Sequence, residues 1–265
     1  MKSANPQPLD RRAFRRVRER RARTVTLALT LPLLLLCASI GRAQVGDTGV
    51  PTGLIKLFGS GVNFTAHADV RTLNYNKAEL MRMPMEIAVV GDKLRVDTDM
   101  NQIRGSNIPQ SAISLLVKLG MDRVTGVIRL DKKMHYIVFP NSRAYVSSPL
   151  SKEEAEVSDK QVVLKKERMG AETIDGHACV LNRVTVAGAH GIIMQALTWN
   201  ANDLNDFPVQ IETGEGGRIS MMRFEDIRFR KPDAAQFEPP SGFKQFKDPD
   251  ALRKANAKKA GVKLE

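Results

Sequence analysis

Val62-Asn63-Phe64-Thr65-Ala66-His67-Ala68-Asp69-Val70-Arg71 decides the fold of this chain. Val62, Phe64, Ala66, Ala68 and Val70 alternate with Asn63, Thr65, His67, Asp69 and Arg71. Successive side chains of a strand point to opposite faces, so this spacing describes a half-buried β-strand. The same period continues outward. Met85, Ile87 and Val89 precede Gly91-Asp92, and Leu94, Val96 and Thr98 follow, which reads as a hairpin closed by a glycine-containing turn. Residues 124–130 and 135–139 flank Asp131-Lys132-Lys133 as a second hairpin. Further strands are expected over 162–169, 177–186, 192–200, 207–213 and 218–229, with Gly214-Glu215-Gly216-Gly217 turning the last pair.

Helical signals are few. Residues 109–119 carry Ile113, Leu116, Val117 and Leu119 behind a leading proline. Ser151 with Glu154 three residues later forms a capping box, so a short acidic helix is expected over 151–160. Residues 44–61 read as a helix or a loose lead-in. Pro232, Pro239, Pro240 and Gly242 end the folded part, placing the domain at 62–243. The expected class is mainly β (α+β), an antiparallel meander of about ten strands with roughly two or three inserted helices. A sheet this wide curls to protect its edges, giving a half-open β-barrel whose concave face encloses apolar space.

The N-terminus supplies compartment. Ten Lys/Arg stand in residues 1–43 against Asp10 and Glu19, followed by the apolar run LALTLPLLLLCASI and the small-residue site Gly41-Arg42-Ala43-Gln44. This is the pattern of a signal peptide, with a mature N-terminus near Gln44 and a periplasmic or otherwise exported product. Arg11-Arg12-Ala13-Phe14 also fits a twin-arginine signal, so the route stays open. The net charge of +12 belongs to the ends. Residues 44–243 carry 24 basic and 24 acidic side chains, which gives no electrostatic footprint for nucleic acid. Residues 244–265 hold seven basic against three acidic residues. They read as a solvated, disordered tail, with peripheral contact to an anionic membrane as the functional alternative.

Catalytic patterns are sparse. His67, His135, His177 and His190 form no HExxH, and no CxxC or GxSxG occurs. Cys179, the lone cysteine after the export signal, shares a strand face with His177, but no third group completes a nucleophilic site. It is expected to be buried and inert. Asp97 and Asp99 share a face, as carboxylates on solvated strands often do. Met81, Met83 and Met85 alternate around Arg82 and Pro84. Such a row fills core, lines an apolar cavity, or offers soft thioether ligands to Cu(I). No catalytic residue, cofactor or resident metal is assigned.

Three segments carry a family resemblance. Met169-Gly170-Ala171-Glu172-Thr173-Ile174-Asp175-Gly176-His177-Ala178-Cys179 resembles a G-x-E-x-I-x-G-x-x-C turn and strand. Trp199-Asn200-Ala201-Asn202-Asp203-Leu204, with Phe207-Pro208-Val209-Gln210-Ile211, resembles a W-x-a-x-d-l-x-x-P-v-k strand–turn–strand. Residues 224–229, Pro232-Asp233, Phe237 and Pro239-Pro240-Ser241-Gly242-Phe243 resemble the closing d-i-x-f…F-x-x-P-x-G-y element. In this order they are similar to an uncharacterised family of exported proteins with LolA-like domains, related to outer-membrane lipoprotein-sorting proteins. The resemblance implies a half-open antiparallel barrel with helices at its mouth, and relatives that carry or sense acyl chains. It transfers no catalytic residue.

The expected function is therefore a non-enzymatic periplasmic binding protein for a lipid, a lipoprotein acyl chain or another amphiphile. The alternatives are an envelope-stress sensor that engages a protein partner, and a copper-handling protein. Candidate cavity-lining residues are Phe64, Met85, Ile87, Val89, Leu94, Val96, Ile137, Phe139, Met194, Trp199 and Met221. A solid core would use the same residues.

Overall fold

A computed structural model of the chain describes residues 52–59, 61–105, 109–157, 162–189, 191–215 and 217–263. The export signal expected over residues 1–43 and His190 lie outside the described residues. A four-residue helix, α1 (Leu54–Leu57), precedes the first hairpin of β1 (Asn63–Leu73) and β2 (Glu79–Val90). β3 (Lys93–Asp99), the short β4 (Arg104–Gly105) and helix α2 (Gln110–Lys118) follow. Next come β5 (Arg123–Arg129), β6 (Met134–Phe139), β7 (Ala144–Pro149) and helix α3 (Lys152–Glu156). A second run of long strands comprises β8 (Val163–Ile174), β9 (His177–Gly188), β10 (Gly191–Ala201), β11 (Phe207–Glu215) and β12 (Arg218–Arg228). The described chain ends in β13 (Lys244–Phe246) and helix α4 (Pro249–Ala260).

All the strands join one sheet in the order β13-β7-β6-β5-β3-β2-β1-β12-β11-β10-β9-β8, with β4 paired to β2. Neighbours are antiparallel except β13, which runs parallel to β7. Hairpins link β1 through β3, β5 through β7 and β8 through β12, while β3 pairs with β5 across the connection that carries β4 and α2. The long-range pairing of β1 with β12 joins the halves of the sheet, setting Ala68 opposite Phe224 and Val70 opposite Met222. The sheet curls but does not close, leaving β8 and β13 as its edges.

The expected hairpins and the helices near 110 and 152 are present, and Ser151 and Glu154 complete the capping box. The tail is a correction. Residues 244–246 add a strand, and Asp248 caps α4, accepting a hydrogen bond from the Ala251 N–H at 2.6 Å. Pro249 occupies the first helical turn and Gly261 the left-handed C-terminal position. Leu252 and Ala257 are buried against Leu119, Phe139 and Ala144. The high lysine content describes the exposed side of this helix, and the apolar pair decides that it docks.

The face of β1 opposite the core holds a buried ion cluster. Asp69 is 3 % exposed at its side chain. It accepts hydrogen bonds from Arg82 Nε at 2.7 Å and from Arg71 Nε at 2.8 Å. Burial pushes the Asp69 carboxyl up, but the hydrogen bonds and charges of Arg82 and Arg71 outweigh it and hold the group below its ordinary 3.8. A lowered folded-state value means that the stabilisation is complete above the unfolded value and fades as pH falls through the folded one. Asp69→Asn should therefore lower the urea midpoint at neutral pH, with the gap to wild type closing in acid. A gap that stays constant down to pH about 2 would assign the loss to packing instead.

Candidate functional site

The inner face is built from transverse rows of side chains set by strand register. Phe64, Val89, Leu94 and Ile128 form one row across β1, β2, β3 and β5. Ala66, Ile87, Val96 and Gly126 form the next, and Phe224, Ala68, Met85 and Thr98 a third. Phe64, Met85, Ile87, Val89, Leu94 and Val96 are all buried, at 0–4 % exposure. Met194 and Ala196 continue the apolar face on β10.

Among the described residues, the α1 segment packs in the same cluster as this face, as do Leu150, Ala155 and Val157 at α3. Leu54, Ile55, Leu57 and Phe58 are buried at 3–4 % exposure. Gly53 permits the close approach, since a Cβ there would stand 3.3 Å from Met194 Cβ. The Phe58 ring joins those of Phe64, Phe207 and Phe224 in a mutual cluster with centroids 4.7–6.5 Å apart. A hollow of about 340 Å³ opens at the edge of this cluster, lined on its apolar side by Leu204, Val209, Phe224 and Ile227. Its polar side is Asp175, His177, Glu225 and Asp226.

The structure divides the candidate lining residues. Ile137 continues the Ile87 row beyond Gly126, but it and Phe139 pack with Leu119 and Leu252 under α2 and α4, in a separate cluster. Trp199 is 5 % exposed in the same main apolar cluster as Met194 and Ala196, and its indole N–H donates to Glu172 Oε2 at 2.9 Å. Met221 is a correction. Met221 stands opposite Arg71 and Glu212 on the outer face, half-buried, whereas its neighbour Met222 enters the core. The face of Met221 follows from strand register, which the pattern of its own segment does not contain. Sequence reasoning also passed over Leu54, Ile55, Leu57, Phe58, Phe207 and Phe224. The run Leu54-Ile55-Lys56-Leu57-Phe58 between Gly53 and Gly59 was the available signal.

Groups with chemical potential are engaged elsewhere. Cys179 is buried, and its Sγ donates to the His177 carbonyl at 3.3 Å. The His177 imidazole instead meets Asp203 Oδ2 at 2.7 Å. Burial pushes the Cys179 thiol up, against nucleophilic use. Asp97 is bound by Arg95 at 2.6 Å and by the Thr125 hydroxyl, while Asp99 caps the turn at Asn101. Met83 and Met85 pack in the main apolar cluster. Among the described residues no group of three or more His, Cys, Asp or Glu is placed to hold a metal ion, and no helix is long and apolar enough to cross a membrane.

No protein-family model and no curated protein sequence matches the chain. Solved structures do. The chain is similar to a LolA superfamily protein from Nitrosomonas europaea, at 11 % identity over 74 % of this chain and 98 % of that one, with a TM-score of 0.36. It is similar to the lipoprotein LppX of Mycobacterium tuberculosis, at 13 % identity over 68 % and 93 % of the two chains, with a TM-score of 0.37. The Pseudomonas aeruginosa MucA/MucB complex is similar at 13 % identity over 71 % and 59 %, with a TM-score of 0.36. By its own strands the chain stands in the mainly β class, one curled and unclosed antiparallel sheet carrying helices. Its function is read from its own residues.

Proposed function

We propose that this chain is an exported, non-enzymatic binding protein that takes the acyl chain of a lipid or lipoprotein, or a similar amphiphile, against its inner face. One observation carries the reading. A continuous apolar face packs against the four-residue helix α1, beside a part-apolar hollow of about 340 Å³ that reaches the aromatic cluster at Phe224. That volume falls within the roughly 300–1,000 Å³ of ligand pockets. The acyl chain enters past Leu204 and Ile227, takes the place of α1, and leaves its polar end near His177. The signal expected over residues 1–43 delivers the protein to the envelope. The exposed lysines of α4, Lys254, Lys258 and Lys259, offer peripheral contact with an anionic membrane.

Magnitudes set the ligand length. Burial of the four apolar side chains of the α1 segment contributes about 6–12 kcal/mol, at about 1.5–3 kcal/mol each. A ligand that displaces them needs about ten or more methylenes, at about 0.8 kcal/mol per CH₂. An apolar fluorescent probe should therefore bind the exported protein at one per chain and be displaced by palmitate but not by hexanoate. Phe58→Ala, which loosens the α1 segment, should raise probe affinity by about tenfold or more, since it removes roughly 3–5 kcal/mol of packing. A well-folded wild type that binds no probe would defeat this reading. It would favour an interaction module instead, for which the twelve-residue edge strand β8 supplies an open ladder for an envelope protein partner.

A further inference from the structure

A second hollow, of about 370 Å³, lies on the outer face, opposite the apolar rows. After β12 the chain crosses the outer side of the sheet. Phe237 is fully buried there against Ala88 and Val127, and Arg95 Nη1 donates to the Gln236 carbonyl at 2.8 Å. This crossing forms one wall of the hollow, and strands β12, β1, β2 and β3 form its floor.

Register divides the floor electrically. One transverse row reads Arg228–Thr65–Ala88–Arg95, two cationic ends separated by two short side chains. The short side chains lower the floor between the guanidinium groups, which is why a hollow exists. The adjacent row contains His67, Glu86 and Asp97. A β-bulge between Thr65 and His67 inserts Asp226, with φ +51°, beside this acidic row. The rows are two residues apart along each strand, roughly 7 Å. Arg230 adds a third cation to the lining.

The charges differ in availability. Arg95 is fixed by Asp97 at 2.6 and 2.7 Å and by Gln236. Among the described residues neither the Arg228 nor the Arg230 guanidinium has a hydrogen-bond or ion-pair partner. On the acidic side, one oxygen of Glu86 meets His67 Nδ1 at 3.0 Å, and the Asp226 carboxylate has no such partner among the described residues. The hollow thus presents unengaged cations on one side and an unengaged carboxylate on the other.

We propose that the hollow binds a small zwitterion, a phosphate joined by a short spacer to a primary ammonium. The phosphate sits over Thr65 and Ala88 between Arg228, Arg230 and Arg95, because guanidinium groups bind phosphate through paired charge-assisted hydrogen bonds. The ammonium faces Asp226 and Glu86. Free phosphoethanolamine and the phosphoethanolamine headgroup of a lipid share this chemistry. The phosphate end, over Thr65 and Ala88, lies on the face opposite the apolar rows, while Asp226 lines both hollows.

Calorimetry on the exported protein with O-phosphoethanolamine, inorganic phosphate and ethanolamine tests the proposal. O-phosphoethanolamine should bind at one per chain, about tenfold or more tighter than either fragment. Arg228→Ala/Arg230→Ala should weaken it by about tenfold or more with an unchanged circular dichroism spectrum, since these guanidinium groups have no partner among the described residues. Glu86→Gln/Asp226→Asn should keep phosphate binding and lose the preference for the zwitterion; Asn tolerates the left-handed backbone at 226. Flotation with phosphatidylethanolamine vesicles separates the sources. Vesicle binding lost in the arginine variant identifies the headgroup, and soluble binding without vesicle binding identifies the free compound. Equal affinity for phosphate and O-phosphoethanolamine, no binding of O-phosphoethanolamine, or wild-type affinity in the arginine variant would overturn the proposal.

Discussion

Met85→Asp is expected to unfold the protein at neutral pH. Met85 is 3 % exposed, flanked by Ala68 and Thr98 in register and enclosed in the main apolar cluster. Removing a buried methionine side chain costs about 2–5 kcal/mol. An uncompensated carboxylate in the same place adds several kcal/mol more, or is neutralised at comparable cost. Together these approach the roughly 5–15 kcal/mol stability of an ordinary domain. Circular dichroism and a urea melt would show the collapse. A variant that keeps its fold and loses only probe binding would mean that ligand or water, rather than packed side chains, surrounds residue 85.

Leu252→Asp is expected to release the C-terminal helix while leaving the central sheet folded. Leu252 is fully buried against Leu119, Phe139 and Ala144. Asn256 ties the same helix down, donating from Nδ2 to the Leu119 carbonyl and to Ser142 Oγ, both at 2.8 Å. Loss of the leucine contact alone costs about 2–5 kcal/mol, and the buried charge raises that. Trypsin should then cut rapidly at Lys254, Lys258 and Lys259, which in the wild type stand on a docked helix. Identical cleavage of wild type and variant would restore the reading of a free tail.

These two positions also show how far local pattern reaches. Period-two alternation around Met85 identified its strand, its hairpin and its burial, because neighbouring side chains of a strand face opposite ways whatever the strand pairs with. The same logic identified the inward set from Phe64 to Val96. It failed at Met221, where the choice of partner strand determines which parity faces inward. Leu252 was hidden for a different reason. Seven basic residues dominate the composition of residues 244–265, and a single buried leucine leaves little trace in it.

What is local was therefore legible in the order of amino acids: the strands, their turns and the capping box at Ser151. What depends on distant segments meeting was not. The β1–β12 pairing, the seating of α1 on the inner face, and the crossing of Phe237 over Ala88 all join residues far apart in the chain. Each is decided by which apolar surfaces bury one another, a competition that no short window of sequence contains. The two hollows follow from those same choices, since one is bounded by the crossing segment and the other by the ring cluster that α1 completes.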